Sequence, residues 1–276
     1  MFIDGHTHIF SQDFARYPLA DPQNSYRPSA DGTAEALRRA MDQTGVDRAF
    51  TITPAFNGWD NSYALDALAD HGHWLAVGVL VDPRHPDAPH ALTRLVDRGA
   101  CGLRFQGRIQ QQHPLDDDAS TPLWTRAADL DLTVDVNATH DEYPQVSRRA
   151  EAFPNLRLVL DHCGYIAPDL APTDQAIEPV LAMARHPNLF AKISFVPLAS
   201  GQAYPFADTF SLVRRIVDAF GAERCLYGSN FPTAQYNPQM TYGQTASYFE
   251  QNNLLSAKER QWILGKTAAK LWRWSA

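Results

Sequence analysis

Two histidines separated by one residue lie near the start of the chain, within residues 2–10, FIDGHTHIF. The apolar residues around them predict a short β-strand. Because successive side chains of a strand point to opposite faces, Asp4, His6 and His8 would share one face. Two imidazoles on one face can bind a metal ion or polarise a carbonyl group. The alternative interpretation is a polar strand end with two solvated histidines.

Two more candidate site residues end apolar strips further along the chain. His162 follows Leu-Val-Leu-Asp, and an ionisable group at the end of an apolar strand costs free energy unless it is paired or used. Arg104 lies between Leu103 and Phe105, and its guanidinium could hold a substrate carboxylate in a bidentate pair. The alternatives are a buried structural histidine and a structural ion pair. Asp161 is predicted to point away from His162 and to tie its strand to a helix.

Strand-like and helix-like segments alternate along the whole chain. The predicted strands are residues 2–10, 47–54, 75–81, 101–105, 132–137, 156–162, 189–194 and 224–229. The helical patterns between and after them span residues 33–45, 61–70, 89–98, 122–130, 142–152, 174–185, 206–220, 241–252 and 256–272. This alternation favours an α/β fold of parallel strands, a (β/α)8 TIM barrel with two C-terminal closing helices. A doubly wound open sheet is the second choice, but the Gly-rich nucleotide loop typical of it is missing. No linker is evident, which predicts a single domain over residues 1–276.

Polar residues recur at the carboxyl ends of the predicted strands, where a barrel of this type carries its chemistry. They are His6, His8, Arg104, Gln106, Arg108, Asn137, His140, His162, Ser194, Ser229 and Asn230. We expect His6, His8, His162 and Asn230 to open into one pocket. The long polar stretch 11–31 is predicted to cover that pocket, with Phe14, Tyr17 and Tyr26 as shielding side chains.

The composition excludes several classes of protein. The formal net charge is -7 and the chain has no basic tract, which argues against a nucleic-acid partner. No apolar run approaches the ~20 residues that span a bilayer, and no signal-like segment opens the chain. The three cysteines, Cys101, Cys163 and Cys225, form no CxxC motif and are expected to be buried reduced thiols of a cytoplasmic protein. The expected partner is a small-molecule substrate, and homo-oligomerisation stays open.

Four motifs together resemble the amidohydrolase superfamily. They are IDGHTH at residues 3–8, TGVDRA at 44–49, LVLDHCG at 158–164 and FGAERCLYGSNFP at 220–232. The chain is similar to the amidohydrolase-related (amidohydrolase 2) TIM-barrel branch over nearly its whole length. Within that branch the pattern is similar to lactonases, which include 2-pyrone-4,6-dicarboxylate lactonase and sugar lactonases. The resemblance implies a TIM-barrel hydrolase.

The chain departs from the family pattern at the metal site. Members with a complete metal site carry a histidine or modified lysine on strand four or five, where this chain has Arg104 and Asn137. They also carry an aspartate on strand eight, where this chain has Asn230, and a neutral amide is neither a general base nor a good zinc ligand. Only His6, His8 and His162 remain as metal ligands. The resemblance therefore implies either no cofactor or one weakly bound divalent metal such as zinc, and no metal is favoured.

The expected activity is hydrolysis of a lactone or related cyclic carboxylic ester of a small carboxylated substrate. His162 would act as general base, since the pKa of an unperturbed imidazole lies near neutrality, while His6 and His8 polarise the carbonyl group. Asn230 would orient the water. The residues expected to bind substrate are Arg104, Arg108, Asn137, His140 and Tyr17.

Two other functions stay open from the sequence. The missing strand-eight aspartate leaves room for a non-hydrolytic enzyme on the same scaffold, such as a decarboxylase, a hydratase or a cyclising enzyme. A barrel that only binds a ligand is the third alternative.

Overall fold

The protein is described by a computed structural model that covers residues 1–21, 28–107, 114–166 and 177–274. Eight parallel strands form one sheet in which each strand pairs with the next along the chain. Their interiors are buried on both faces, as expected for a parallel sheet covered by helices. The strands are β1 (Ile3–Thr7), β2 (Arg48–Ile52), β3 (Leu75–Val79), β4 (Gly102–Gln106), β5 (Thr133–Asn137), β6 (Arg157–Leu160), β7 (Leu189–Ile193) and β8 (Cys225–Tyr227).

Contacts between the first and last strands close this sheet into a barrel. A parallel bridge joins Thr7 to Phe231, and the backbone N–H of His8 donates to the carbonyl of Phe231 at 2.8 Å. Gly228 permits the close approach, because a Cβ at that position would lie 2.5 Å from the Cβ of His6. The predicted (β/α)8 barrel is confirmed, and the open doubly wound sheet is wrong.

Helices follow the strands and cover the barrel. The first begins at Thr33, whose hydroxyl accepts from the N–H of Ala36 at 3.2 Å, and ends at Gly45, whose φ of 72° suits a residue without a side chain. The helices are α1 (Ala34–Thr44), α2 (Ser62–His71), α3 (Ala88–Asp97), α4 (Thr121–Asp129), α5 (Tyr143–Ala152), α6 (Glu178–Met183), α7 (Phe210–Phe220), α8 (Thr233–Tyr236), α9 (Tyr242–Gln251), α10 (Ala257–Gln261) and α11 (Thr267–Leu271). In the part of the chain that is described, no helix is both long and apolar enough to cross a membrane.

The C-terminal segment differs from the single helix predicted over residues 256–272. A π-helical turn, Trp262–Lys266, separates α10 from α11. Gly265 lies in this turn against the amino terminus of the chain, and a Cβ there would approach the carbonyl oxygen of Met1 to 2.2 Å. The absence of a side chain at Gly265 therefore permits this close backbone contact.

A cluster of apolar side chains fills the barrel at the end opposite to the carboxyl ends of the strands. The indole of Trp272 stacks on the ring of Phe50 with centroids 3.8 Å apart. Both side chains belong to a buried cluster with Ile3, Phe190 and Leu226. Trp272 is therefore a packing residue of the barrel interior.

Candidate active site

A pocket of about 460 Å³ opens among the carboxyl ends of the strands. Three of the four histidine and asparagine side chains predicted to share a pocket line it, and the fourth, His6, lies behind His8. The helix α8 was not predicted from sequence, yet it brings two side chains to the pocket wall. The lining residues are His8, Ala55, Phe56, Arg104, His162, Tyr165, Phe195, Asn230, Gln235 and Tyr236.

His6 and His8 form a hydrogen-bonded pair at the end of β1. Their Nε2 atoms are 3.1 Å apart, and the Nδ1 of His8 lies 2.8 Å from the carbonyl oxygen of Ile52. Burial lowers the pKa of His8 to about 3, with a further contribution from the Arg104 cation. Burial also lowers the pKa of His6 well below its usual value, assisted by the Lys192 cation. Both imidazoles are therefore neutral at neutral pH.

A fully buried lysine lies inside the barrel beneath this pair. The Nζ of Lys192, on β7, is 3.0 Å from the Nδ1 of His6 and hydrogen-bonds to the carboxylate of Asp135 on β5. It also forms an ion pair of 2.8 Å with Asp161. Sequence reasoning missed both Lys192 and Asp135. The available signal was a charged residue in the middle of a strand, with an apolar residue on each side.

Asp161 faces the interior of the site. Its Oδ2 accepts from the Nε of Arg104 at 2.7 Å, and its Oδ1 lies 3.5 Å from the Nδ1 of His6. Burial opposes ionisation of this carboxyl, but the Lys192 and Arg104 cations hold its pKa well below the usual range. The prediction that Asp161 points away from His162 and towards a helix is wrong. Strand β6 ends at Leu160, so the alternation of strand side chains no longer applies to Asp161.

His162 lies in a tight turn, Asp161–Gly164, with a left-handed φ of 57°. Its Nδ1 is 2.6 Å from the hydroxyl oxygen of Ser194, and its ring stacks on Phe195 with centroids 4.3 Å apart. Burial lowers the pKa of His162 well below its usual value, so the expectation of a pKa near neutrality is wrong for the unliganded site. The turn and the stacking hold a neutral imidazole at the pocket wall.

Asn230 occupies the position where the family pattern has an aspartate. It is 1% exposed and has a left-handed φ of 58°, a conformation that asparagine tolerates better than most residues. Neither atom of its side-chain amide has a hydrogen-bond partner among the described residues. A buried amide with no partner costs free energy, which is consistent with an amide kept for a ligand.

The remaining predicted substrate-binding residues lie outside the pocket wall or outside the described residues. Asn137 is in hydrogen-bond contact with the pocket residue Tyr165. His140 packs against Tyr143 with ring centroids 5.2 Å apart and does not line the pocket. Arg108 falls outside the described residues.

The predicted cover over the pocket is described only in part. The hydroxyl of Tyr17 donates to Asp66 at 3.0 Å, and its ring packs on Tyr63, so this tyrosine does not line the pocket. Tyr26 and its neighbours, residues 22–27, lie outside the described residues. The structure therefore places no part of this stretch, among its described residues, on the pocket wall.

The cysteines show no sign of nucleophilic chemistry. All three are free thiols, and Cys163 and Cys225 are buried. Burial raises the pKa of Cys101 to about 12 and that of Cys163 well above its usual value. Because a thiol reacts as its thiolate, these residues act as packing side chains.

Three side chains lie close enough together to be considered as metal ligands. His6, Asp161 and His162 each offer one possible ligand atom, and these three atoms lie within 4.8 Å of one another. However, Asp161 already pairs with both Arg104 and Lys192, and Asp135 pairs with Lys192 as well. The Nδ1 of His6 faces the Lys192 ammonium. A divalent cation at this site would lie beside two fixed cations, and neither nearby carboxylate would be free to bind it. These residues, as arranged, do not fit a tightly held divalent metal.

Comparisons with known proteins agree with this fold. The chain matches the amidohydrolase family over residues 3–274. It is 27% identical to an L-fucono-1,5-lactonase of Burkholderia ambifaria, across 98% of this chain and 95% of that protein. Its structure is similar to that of a Pseudomonas putida protein assigned as a 2-pyrone-4,6-dicarboxylic acid hydrolase, with a TM-score of 0.85 and 22% identity over 100% of this chain and 98% of the other.

A second similar structure belongs to an enzyme with a different activity. It is the 5-carboxyvanillate decarboxylase of Sphingomonas paucimobilis, with a TM-score of 0.70 and 15% identity over 99% of this chain and 98% of the other. At these low identities the structural likenesses establish the fold alone. The family match, by contrast, spans nearly the whole chain, and this protein therefore belongs to the amidohydrolase family of enzymes.

Proposed function

We propose that this enzyme hydrolyses a lactone, or a related cyclic ester, of a small carboxylated substrate. Similarity to an L-fucono-1,5-lactonase and to a protein assigned as a 2-pyrone-4,6-dicarboxylic acid hydrolase supports lactone chemistry. The composition of the pocket supports the carboxylate.

The observation that carries this proposal is a buried cation in a pocket wall without acidic side chains. Arg104 is 4% exposed, and none of the described residues that line the pocket is Asp or Glu. Its Nε donates to Asp161, so the outer edge of the guanidinium is the part that a ligand can reach. A substrate carboxylate would pair with that edge, in the geometry that guanidinium favours.

The rest of the wall suits a flat or compact ring. Four aromatic side chains surround the pocket, namely Phe56, Tyr165, Phe195 and Tyr236. They supply apolar contact, while the few polar groups set the orientation of the ring. A volume of about 460 Å³ suits a small monocyclic acid.

His162 is our candidate for the general base. Its Nδ1 is engaged with Ser194, which leaves its Nε2 to accept a proton from water. Water would attack the lactone carbonyl carbon, and the bond from that carbon to the ring oxygen would break as the ring oxygen takes a proton. The product is the open hydroxy acid. A substrate carboxylate bound to Arg104 would offset the charge of that cation and so favour the protonated form of His162.

The developing oxyanion needs a hydrogen-bond donor. Asn230 offers its side-chain N–H groups, which have no partner among the described residues. His8 is a poor donor in this state, because its Nδ1 faces the carbonyl of Ile52 and its neutral ring carries one proton. The His6–His8 pair therefore presents no free N–H to the pocket in this state, and Asn230 is our candidate for polarising the carbonyl.

Decarboxylation is the second candidate, because Asn230 leaves the end of strand eight without a carboxylate base. Three compounds separate the candidates: 2-pyrone-4,6-dicarboxylate, L-fucono-1,5-lactone and 5-carboxyvanillate, with proton release and CO2 release recorded in parallel. We expect ring opening of the carboxylated lactone, with kcat/KM at least tenfold above that of the uncharged lactone. Release of CO2 without lactone opening would replace the proposal with decarboxylation. Saturable binding without turnover of any of the three would favour a ligand-binding barrel.

A further inference from the structure

We propose that Lys192 is a positioning residue that fixes the tautomer of His6, and thereby keeps the pair of His6 and His8 from acting as a metal chelate. The inference concerns the site used in the proposed function, but its test does not depend on turnover. It follows from the direction of each hydrogen bond along one chain of contacts.

The chain of hydrogen bonds ends at a backbone carbonyl. The oxygen of Ile52 can only accept, so the Nδ1 of His8, 2.8 Å away, must carry a hydrogen. His8 is fully buried and neutral, and its single ring proton is thus accounted for. Its Nε2 therefore presents a lone pair to His6.

The other end of the chain is an ammonium group. Lys192 has only hydrogens to offer, so the Nδ1 of His6, 3.0 Å away, must accept. A neutral His6 then carries its proton on Nε2 and donates it to the Nε2 of His8 at 3.1 Å. The proton positions deduced from Ile52 and from Lys192 therefore agree with each other.

Two carboxylates and two aromatic rings surround the Nζ of Lys192. Asp135 and Asp161 both contact its Nζ, and the side chain has no exposed surface. The Nζ also lies 5.9 Å from the ring centroids of both Phe50 and Trp272, which attract a cation through their ring faces. An ammonium held in this way has no lone pair with which to accept from His6.

The consequence concerns metal binding. A two-histidine chelate needs two bare Nε2 atoms, whereas here one of the two carries a proton. Two nitrogens bound to one tetrahedral zinc ion are about 3.3 Å apart. The observed 3.1 Å between the Nε2 atoms is already close to that spacing. If Lys192 were removed, His6 could move its proton to Nδ1 and donate towards Asp161, which would leave both Nε2 atoms bare.

The test is ¹⁵N NMR of the imidazoles in chelator-treated protein at one neutral pH. His6→Gln and His8→Gln identify which signals belong to which ring. In the wild type we expect pyrrole-type nitrogens at Nε2 of His6 and at Nδ1 of His8. In Lys192→Met we expect the pyrrole-type nitrogen of His6 to move to Nδ1, with His8 unchanged. Lys270→Met, at an exposed lysine on α11, is the matched control and should keep the wild-type pattern.

A zinc titration followed by calorimetry provides the second measurement. Lys192→Met should bind Zn²⁺ at least tenfold more tightly than the wild type or Lys270→Met. If Lys192→Met does not fold because Asp135 loses its partner, Lys192→Met combined with Asp135→Asn removes both charges and takes its place. A pyrrole-type Nδ1 on His6 in the wild type would overturn the proposal. So would an unchanged pattern in the Lys192 variant, or equal zinc affinity in all the proteins.

Discussion

The backbone N–H of Asn230 donates a hydrogen bond to the carbonyl oxygen of His6 at 2.9 Å. This contact joins the end of β8 to β1, so the closure of the barrel and the geometry of the site depend on the same residues. The carboxylate of Asp4 supports the junction by accepting from the N–H of Ser229 at 2.9 Å. The amide of Asn230 is thus held on a rigid backbone beside the histidines.

Substitution of Arg104 tests the proposed carboxylate clamp. Arg104→Met should raise KM for a carboxylated lactone about 10- to 100-fold, the equivalent of losing a hydrogen bond to a charged group. The kcat should change much less, since the group that takes the proton remains. For Arg104→Lys, which keeps the charge but lacks the planar guanidinium, we expect a KM between that of the wild type and that of Arg104→Met. An equal loss with charged and uncharged lactones would show that Arg104 acts only through Asp161.

His162→Asn tests the proposed general base. We expect kcat to fall by about 10² to 10⁴, the usual loss for an acid–base group, with a small change in KM. Ser194→Ala removes the partner of the Nδ1 and should lower kcat by about tenfold, the worth of one hydrogen bond. Steady-state kinetics from pH 5 to 9 provide the measurement. Full activity of His162→Asn across that range would reject the assignment.

Asn230→Asp tests whether the site requires a neutral amide. A carboxylate at this buried position would face the oxyanion that develops during hydrolysis, and we expect kcat to fall by about 10² to 10³. Asn230→Ala, which removes the donor without adding charge, should lose less. The opposite result, a gain of zinc-dependent hydrolysis by Asn230→Asp, would indicate that the asparagine only replaces a lost metal-binding carboxylate.

Removal of metal ions tests the electrostatic argument about the site. Lysine and arginine already balance the carboxylates, so hydrolysis by the wild type should survive dialysis against EDTA. Elemental analysis of protein purified without chelator should find much less than one zinc per chain. One tightly held zinc per chain, with activity that returns only on its addition, would contradict this expectation.

The buried histidines predict the pH dependence of stability. Burial lowers the pKa of His8 to about 3 in the folded state, against about 6.5 for an unperturbed histidine. Between these two pKa values the imidazole of His8 is protonated in the unfolded chain but not in the folded protein. The contribution of His8 to the free energy of unfolding is therefore complete above about pH 6.5 and is lost as the pH falls. His8→Gln should make the slope of unfolding free energy between pH 4 and 6 shallower by about 1.4 kcal/mol per pH unit. Urea titrations at several pH values would show it, and an unchanged slope would mean that His8 is already protonated in the fold.

Much of the site could be predicted because it follows from local patterns. His8, Arg104, His162 and Asn230 all end apolar strips, and parallel strands of a barrel bring such ends together. Their positions along the chain were therefore enough to place them at one pocket. Tyr17 was misjudged as a candidate pocket residue because the path of a long polar loop is not encoded in any periodic pattern.

The sequence by itself determined the order and number of the strands, since alternating apolar strips and amphipathic helices have few other ways to bury their surfaces. The tertiary structure alone decided the charge network. Lys192 and Asp135 meet only because the tilt and stagger of barrel strands aim particular interior residues at each other. Asp161 joins them because β6 ends at Leu160, two residues before the predicted end, and the chain turns left-handed at His162. These contacts cross 57 residues between Asp135 and Lys192, and no local pattern of residue types specifies such a distant pairing.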